Sequence, residues 1–140
     1  MEKKKVSAIL FYDKKGNVLL QDRRDISKRG EEYGYFGGER EKNETPKENL
    51  RRELREEIGI DIGELKNLEF FKKYKLSLVE FNLDVDMDFY LAEIPQLKKL
   101  DVREGKPIIM NIKDTFNLKM VPGDTRILKE VNEYLKNQTF

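Results

Sequence analysis

The sequence predicts an α/β fold, a mixed β-sheet flanked by helices, in a single domain spanning residues 1–140. Three observations predict it. Leu83, Val85, Met87, Phe89 and Leu91 alternate at period two, the spacing of a strand with one packed face. Leu50, Leu54 and Ile58 recur at four-residue spacing instead, and Ile127, Leu128, Val131, Tyr134 and Leu135 follow helical spacing. Strand patterns precede and separate these two amphipathic stretches, an order that lays helices against a sheet.

Taken in order, Val6–Tyr12 and Val18–Asp22 are β-rich runs joined by the turn residues Asp13-Lys14-Lys15-Gly16-Asn17, which predicts a hairpin. Arg23–Glu44 is Gly-rich and charged and is expected to be a long loop with one short strand at Tyr33–Phe36. The next element has strong end signals. Thr45 is an N-cap, Pro46 suits the first helical position, Glu48 completes a T-x-x-E capping box, and Gly59 supplies the stop. These place a helix at Pro46–Ile58. Leu68–Phe81 and Leu83–Glu93 then form a hairpin turning near Asn82, Pro107–Ile112 a short buried strand, and Lys113–Leu118 a helical turn. The last helix is entered through Pro122-Gly123-Asp124.

Composition excludes several chemistries. The chain has no Cys and no His, so disulfides, thiolate metal sites and imidazole catalysis are ruled out. Its 28 Lys and Arg against 27 Asp and Glu give a net charge of +1, which supplies no general pull toward nucleic acid or membrane. The N-terminal Met1–Tyr12 stretch has no apolar run long enough for a signal peptide or membrane span, so a cytoplasmic enzyme or binding domain is expected. Catalysis would then rest on carboxylates, Lys, Arg, Tyr or hydroxyls.

The unusual feature lies on the first helix. Glu53, Glu56 and Glu57 crowd one turn, where like charges cost roughly 0.2–0.5 kcal/mol per pair. With Leu50 at zero on a helical wheel, the apolar stripe centres near about 40°, and the three acids fall at about 300°, 240° and 340°. They are expected to form one face beside the core stripe, a set of oxygens suited to a hard divalent cation. The plainer alternative is a solvated charged helix, since Glu48–Arg52 and Arg52–Glu56 are ordinary ion-pair spacings. Asp84, Asp86 and Asp88 do not make a calcium loop, because Phe89 stands where such a loop needs Gly; they are expected on the solvent face of their strand, with an active-site edge as the alternative.

From Gly38 to Ile60 the chain resembles the Nudix hydrolase family, MutT type, whose box reads G-x5-E-x7-R-E-U-x-E-E-x-G-U with U a bulky aliphatic. Gly38, Glu44, Arg52-Glu53-Leu54, Glu56-Glu57 and Gly59-Ile60 fill every fixed position. The flanking patterns are similar to the family's α/β/α sandwich, so the resemblance covers the whole chain. It implies hydrolysis of a nucleoside diphosphate linked to a further group, with Mg²⁺ or Mn²⁺. It also implies Glu53, Glu56, Glu57 and Gly38 as the metal site, and Arg52 as the group orienting Glu53. Gly37 and Gly38 would form a tight loop near the phosphates, and Glu44 would support the site. Glu104, in Arg103-Glu104-Gly105, resembles a further catalytic carboxylate, although an exposed loop Glu fits equally well.

Arg23 and Arg24 lie where MutT-type members keep a phosphate-binding arginine, although a surface basic pair is an equal alternative. Asp124 lies where purine-specific members read the base edge, although an N-cap for the last helix is the preferred reading. Phe36 stands where Pro commonly precedes the Gly-Gly, and Asn43 where Gly often precedes the box Glu, which bears on loop shape and substrate choice. A nucleoside triphosphate giving monophosphate and pyrophosphate is the first expected substrate. ADP-ribose, nucleotide sugars and dinucleoside polyphosphates are the alternatives, and a non-catalytic nucleotide sensor is the third, disfavoured because every box Glu is present. The partner is thus a small-molecule nucleotide, with the chain a monomer or homodimer.

Overall fold

Strand β1 (Glu2–Tyr12) is the axis of the sheet. In the computed structural model, which describes residues 1–138, β1 pairs parallel with β6 (Leu83–Glu93) along its whole length. Its other edge is shared between two antiparallel partners. β4 (Phe36–Glu39) takes Val6–Ile9, and β2 (Asn17–Asp22) takes Phe11 and Tyr12. β2 carries β7 (Lys106–Asn111) along its length and the two-residue β3 (Tyr33–Gly34) at its end. β5 (Glu69–Leu78) completes the far edge, antiparallel to β6.

Both faces of the sheet centre are covered, as a parallel pair requires. Helix α1 (Pro46–Ile58) packs Leu50, Leu54 and Ile58, all fully buried, on Ile9, Phe11, Leu19 and Phe36. Each buried aliphatic contributes about 1.5–3 kcal/mol. Helix α2 (Asp124–Lys136) packs Ile127, Leu128 and Val131 on the opposite face, against Ala8, Leu10 and Phe89. The result is the expected three-layer α/β/α sandwich. α1 begins as its sequence predicts: the Glu48 amide donates to Thr45 Oγ1 at 3.1 Å and the Thr45 amide to Glu48 Oε1 at 2.9 Å.

Several elements differ from the sequence reading. Tyr33–Phe36 is not one strand but all of β3 and the start of β4, so Gly37 and Gly38 sit inside a paired strand rather than a loop. β5 stops at Leu78 and a 3-10 turn, Val79–Phe81, leads to Asn82 in the left-handed region at φ 51°. β7 is an edge strand, not a buried one: Ile109 is exposed, because β2 covers only one side of it. Asp84 and Asp86 are half-buried, and Asp88 leaves the solvent face altogether.

Asp88 is buried because Arg40 reaches it across the sheet, Nη2 to Oδ2 at 2.7 Å, with Lys73 Nζ at 3.8 Å. This ion pair pins the segment after β4 to β6, on the side that α1 covers. Removing one partner of a buried pair leaves a charge without compensation. Arg40→Met is expected to cost about 3 kcal/mol in urea unfolding, the low end for such a pair because Lys73 still faces Asp88. A loss under about 0.5 kcal/mol would show the pair to be as weak as a surface contact.

Candidate active site

The end of α1 meets β4 at its two glycines. Gly37 N–H donates to Glu57 Oε1 at 2.8 Å, and Glu57 is only 3% exposed. Gly37 has φ 136°, and a Cβ there would lie 2.1 Å from the Ser7 carbonyl oxygen of β1. Only glycine fits that approach. A Cβ on Gly38 would lie 2.5 Å from the Glu53 carboxyl carbon. The Gly-Gly pair is therefore a bare stretch of strand against which two helix carboxylates rest. The reason for the glycines is close approach, not the tight loop expected.

Arg52 organises the acids around it. Its Nε and Nη2 grip Glu44 at 2.8 and 3.0 Å, its Nη1 donates to Glu53 Oε1 at 2.9 Å, and Nη2 also donates to the Glu39 carbonyl at 2.9 Å. Bidentate charge-assisted contacts of this kind fix geometry as well as adding energy. Glu44 holds Arg52 and Arg52 holds Glu53. Glu56 differs. Its side chain stays exposed, with Arg52 Nη1 at 3.4 Å, because it lies about 160° from the centre of the apolar stripe. The acids thus form a graded edge, with Glu57 inside, Glu53 half-buried and Glu56 out, and not one uniform face.

Burial and mutual repulsion act together on these groups. Desolvation pushes the Glu57 carboxyl up to about 8, aided by Glu53 and Glu104 and opposed by the Gly37 N–H and by Arg23. Glu53 is raised for the same first reason, with Glu56 and Glu104 adding to it and Arg52 opposing. Glu104 lies on an exposed loop, yet its charge is felt by both helix acids, so the fold brings it to the same region. Among the described residues no three acids already converge into a closed cage, since Glu53 faces Arg52 and Glu57 faces Gly37. The donor set is nonetheless all oxygen, and a dication would reverse the repulsion that raises Glu53 and Glu57. These residues fit Mg²⁺ or Mn²⁺.

Beside β4 opens a cleft of ≈ 500 Å³. Gly37, Gly38 and Arg23 line one part of it, and Leu76, Val85 and Met87 give it an apolar wall. Arg23 enters it, tied to Glu31 Oε1 at 3.2 Å. Arg24 does not: it turns back onto Asp22, Nη2 to Oδ2 at 2.7 Å, with Tyr33 beneath its guanidinium. Asp124 also lines the cleft, and it is not the helix cap. Gly123 occupies that position at φ 97°, leaving Asp124 as the first residue of α2. Tyr35 Oη holds the Asp124 carbonyl at 2.9 Å, while its carboxyl accepts no hydrogen bond among the described residues. Desolvation, with the nearby Glu31 charge, pushes that carboxyl up to about 8.

Tyr35, Glu31 and Gln21 escaped the sequence reading. Gln21 alone carried a signal, a polar side chain directly after the apolar Val18–Leu20 run. Among the described residues, no helix is long and apolar enough to cross a membrane.

Known proteins match this arrangement. The family model described as NUDIX domain matches residues 1–125. The chain is 42% identical over 71 residues to an 8-oxo-dGTP diphosphatase of Proteus vulgaris, a match covering 49% of this chain and 63% of that relative's length. The fold is shared with the MutT protein from Methanosarcina mazei Go1, at a TM-score of 0.72 and 17% identity over 98% of this chain and 97% of that one. It is shared equally with the E. coli dihydroneopterin triphosphate pyrophosphohydrolase, at a TM-score of 0.71 and 15% identity over 96% and 99%.

The buried Asp124 makes stability depend on pH in one direction. The folded chain keeps its proton up to about pH 8 whereas the unfolded chain loses it near 4, so the contribution is complete below about pH 4 and is lost as pH rises toward 8. Melting Asp124→Asn beside the unmodified chain at about pH 5, 6.5 and 8.5 should show the variant gaining on it as pH rises, with the gap levelling above about pH 8. A gap independent of pH would contradict a neutral buried acid.

Proposed function

The chain belongs to the Nudix family, and from that premise we propose that it hydrolyses a nucleoside triphosphate to the monophosphate and pyrophosphate with a divalent cation. The observation that carries this reading is the pair of raised carboxylates, Glu53 and Glu57, resting on Gly37 and Gly38 at the edge of a half-apolar cleft. Phosphates need the polar end of such a site and a base needs the apolar end. The name of the Proteus vulgaris relative supports a purine nucleoside triphosphate, and the chain's matched region spans 63% of that relative.

The attacking water forms a bond to one phosphorus of the α–β bridge while the P–O bond from that phosphorus to the bridging oxygen breaks, giving the nucleoside monophosphate and pyrophosphate. A bound Mg²⁺ or Mn²⁺ supplies charge neutralisation on the phosphoryl oxygens and a lowered pKa for its water. Glu53, Glu56 and Glu57, with the Gly38 carbonyl, are the groups that would hold it. Glu53, oriented by Arg52, takes the proton lost by the water. Glu104 contributes a further carboxylate from across the site. Arg23 faces the phosphates. Asp124, neutral at physiological pH, donates a hydrogen bond to an acceptor on the base edge while the Leu76, Val85 and Met87 wall packs the ring.

Glu53→Gln removes the base while keeping an acceptor for Arg52. It is expected to lower kcat by about 10²–10⁴-fold with Mg²⁺. Unchanged hydrolysis would refute the assignment. Gly38→Ala forces Glu53 aside and is expected to lower kcat about 10²-fold. Both are read on a panel of canonical and oxidised nucleoside triphosphates, ADP-ribose, nucleotide sugars and dinucleoside polyphosphates, with products identified. Turnover confined to ADP-ribose would replace the triphosphate reading.

A further inference from the structure

We propose that Gln21 is a positioning residue that couples the Glu104 loop to Arg23, so that one buried amide sets a carboxylate and a phosphate-facing cation together. The inference rests on the function proposed above for those two residues. Gln21 is fully buried at the end of β2, next to Leu20 and Asp22. Its amide faces two ways. Nε2 donates to the Glu104 carbonyl at 2.9 Å, and Oε1 accepts from Arg23 Nη1. Neither contact serves the hydrophobic core. Both reach groups whose charges act on Glu57 from opposite directions, Glu104 raising it and Arg23 lowering it.

Gln21 stands opposite Pro107 at a non-hydrogen-bonded position of the β2–β7 ladder, where the missing proline N–H costs the ladder nothing. Its side chain reaches past Pro107 to the carbonyl of Glu104, which holds the loop against β2. Arg23 is held at two points, by Gln21 through Nη1 and by Glu31 through Nε. With those two donors engaged, the guanidinium cannot swing away from the cleft without breaking a bond to a buried partner. A Leu at this position would pack as well and would leave both groups loose.

The test separates the two halves of the tie. Gln21→Glu keeps an acceptor for Arg23 and loses the donor to Glu104. Gln21→Met loses both. With 8-oxo-dGTP or dGTP and Mg²⁺, Gln21→Glu is expected to lower kcat about tenfold with KM within about twofold of the unmodified chain. Gln21→Met is expected to lower kcat similarly and also to raise KM several-fold. In a Glu104→Gln background, adding Gln21→Glu should lower kcat by less than about twofold more, because the loop no longer carries the group that the tie positions.

Thermal midpoints are recorded for each variant. If both Gln21 variants shift the midpoint alone, or if Gln21→Glu and Glu104→Gln multiply in kcat, the tie is merely structural and the proposal is overturned. If Glu104→Gln keeps full kcat, the catalytic reading of Glu104 fails separately, and Gln21 is then judged on the KM rise that Gln21→Met must show and Gln21→Glu must not. Should Gln21→Met fail to fold, the Gln21→Glu result and its double variant decide alone.

Discussion

One hydrogen bond, from Gly37 N–H to the buried carboxyl of Glu57, joins the helix of the site to the strand of the site. The arrangement of the other site groups follows from that contact. It requires α1 to lie close on β4, which requires glycine at 37 and 38, because any Cβ there would strike Ser7 or Glu53. It also places a carboxyl in a poorly solvated position, where burial raises its pKa to about 8. Core packing by Leu50, Leu54 and Ile58 holds the helix in that place, and the capping box sets where its first turn begins. The stripe that stabilises the fold and the acids that serve the site are thus neighbours on one helix, in a fixed angular relation.

The same geometry accounts for a charge pattern that would be unfavourable on an isolated helix. Glu53, Glu56 and Glu57 repel one another, and Glu104 adds to the effect on two of them. Arg52 offsets part of this through Glu44 and Glu53, and Arg23 acts on Glu57 from the cleft side. That division leaves the acids oriented but not neutralised, which suits groups whose partner is a dication carried with phosphates. Asp124 lines the same cleft, where burial and the nearby Glu31 charge push its carboxyl up to about 8.

Much of this was legible in the sequence. Periodicity identified both long helices and the β5–β6 hairpin, because each depends on local spacing and end signals. The box residues marked α1 as the candidate site helix for the same reason. What escaped depended on contacts distant in sequence. Asp88 looks like a solvent-facing strand residue until Arg40 meets it across the sheet. Asp124 looks like a cap until Gly123 takes the turn and Tyr35 binds the next carbonyl. Arg23 and Arg24 are indistinguishable neighbours in sequence, yet strand geometry sends one into the cleft and Asp22 retains the other. β7 reads as a core strand because its apolar side chains do not reveal that only β2 lies beside it.

Glu57 is proposed as a group held ready for a cation, and a binding measurement on that residue tests the proposal without relying on turnover. Mn²⁺ titrated into the unmodified chain and into Glu57→Gln, with free ion followed by its electron paramagnetic resonance signal, compares the two directly. The Gln variant can still accept the Gly37 N–H, so its fold should persist as a single cooperative melt. A loss of Mn²⁺ affinity of about tenfold or more in the variant is the predicted result. Equal affinity in the two proteins would contradict a cation-holding role for Glu57.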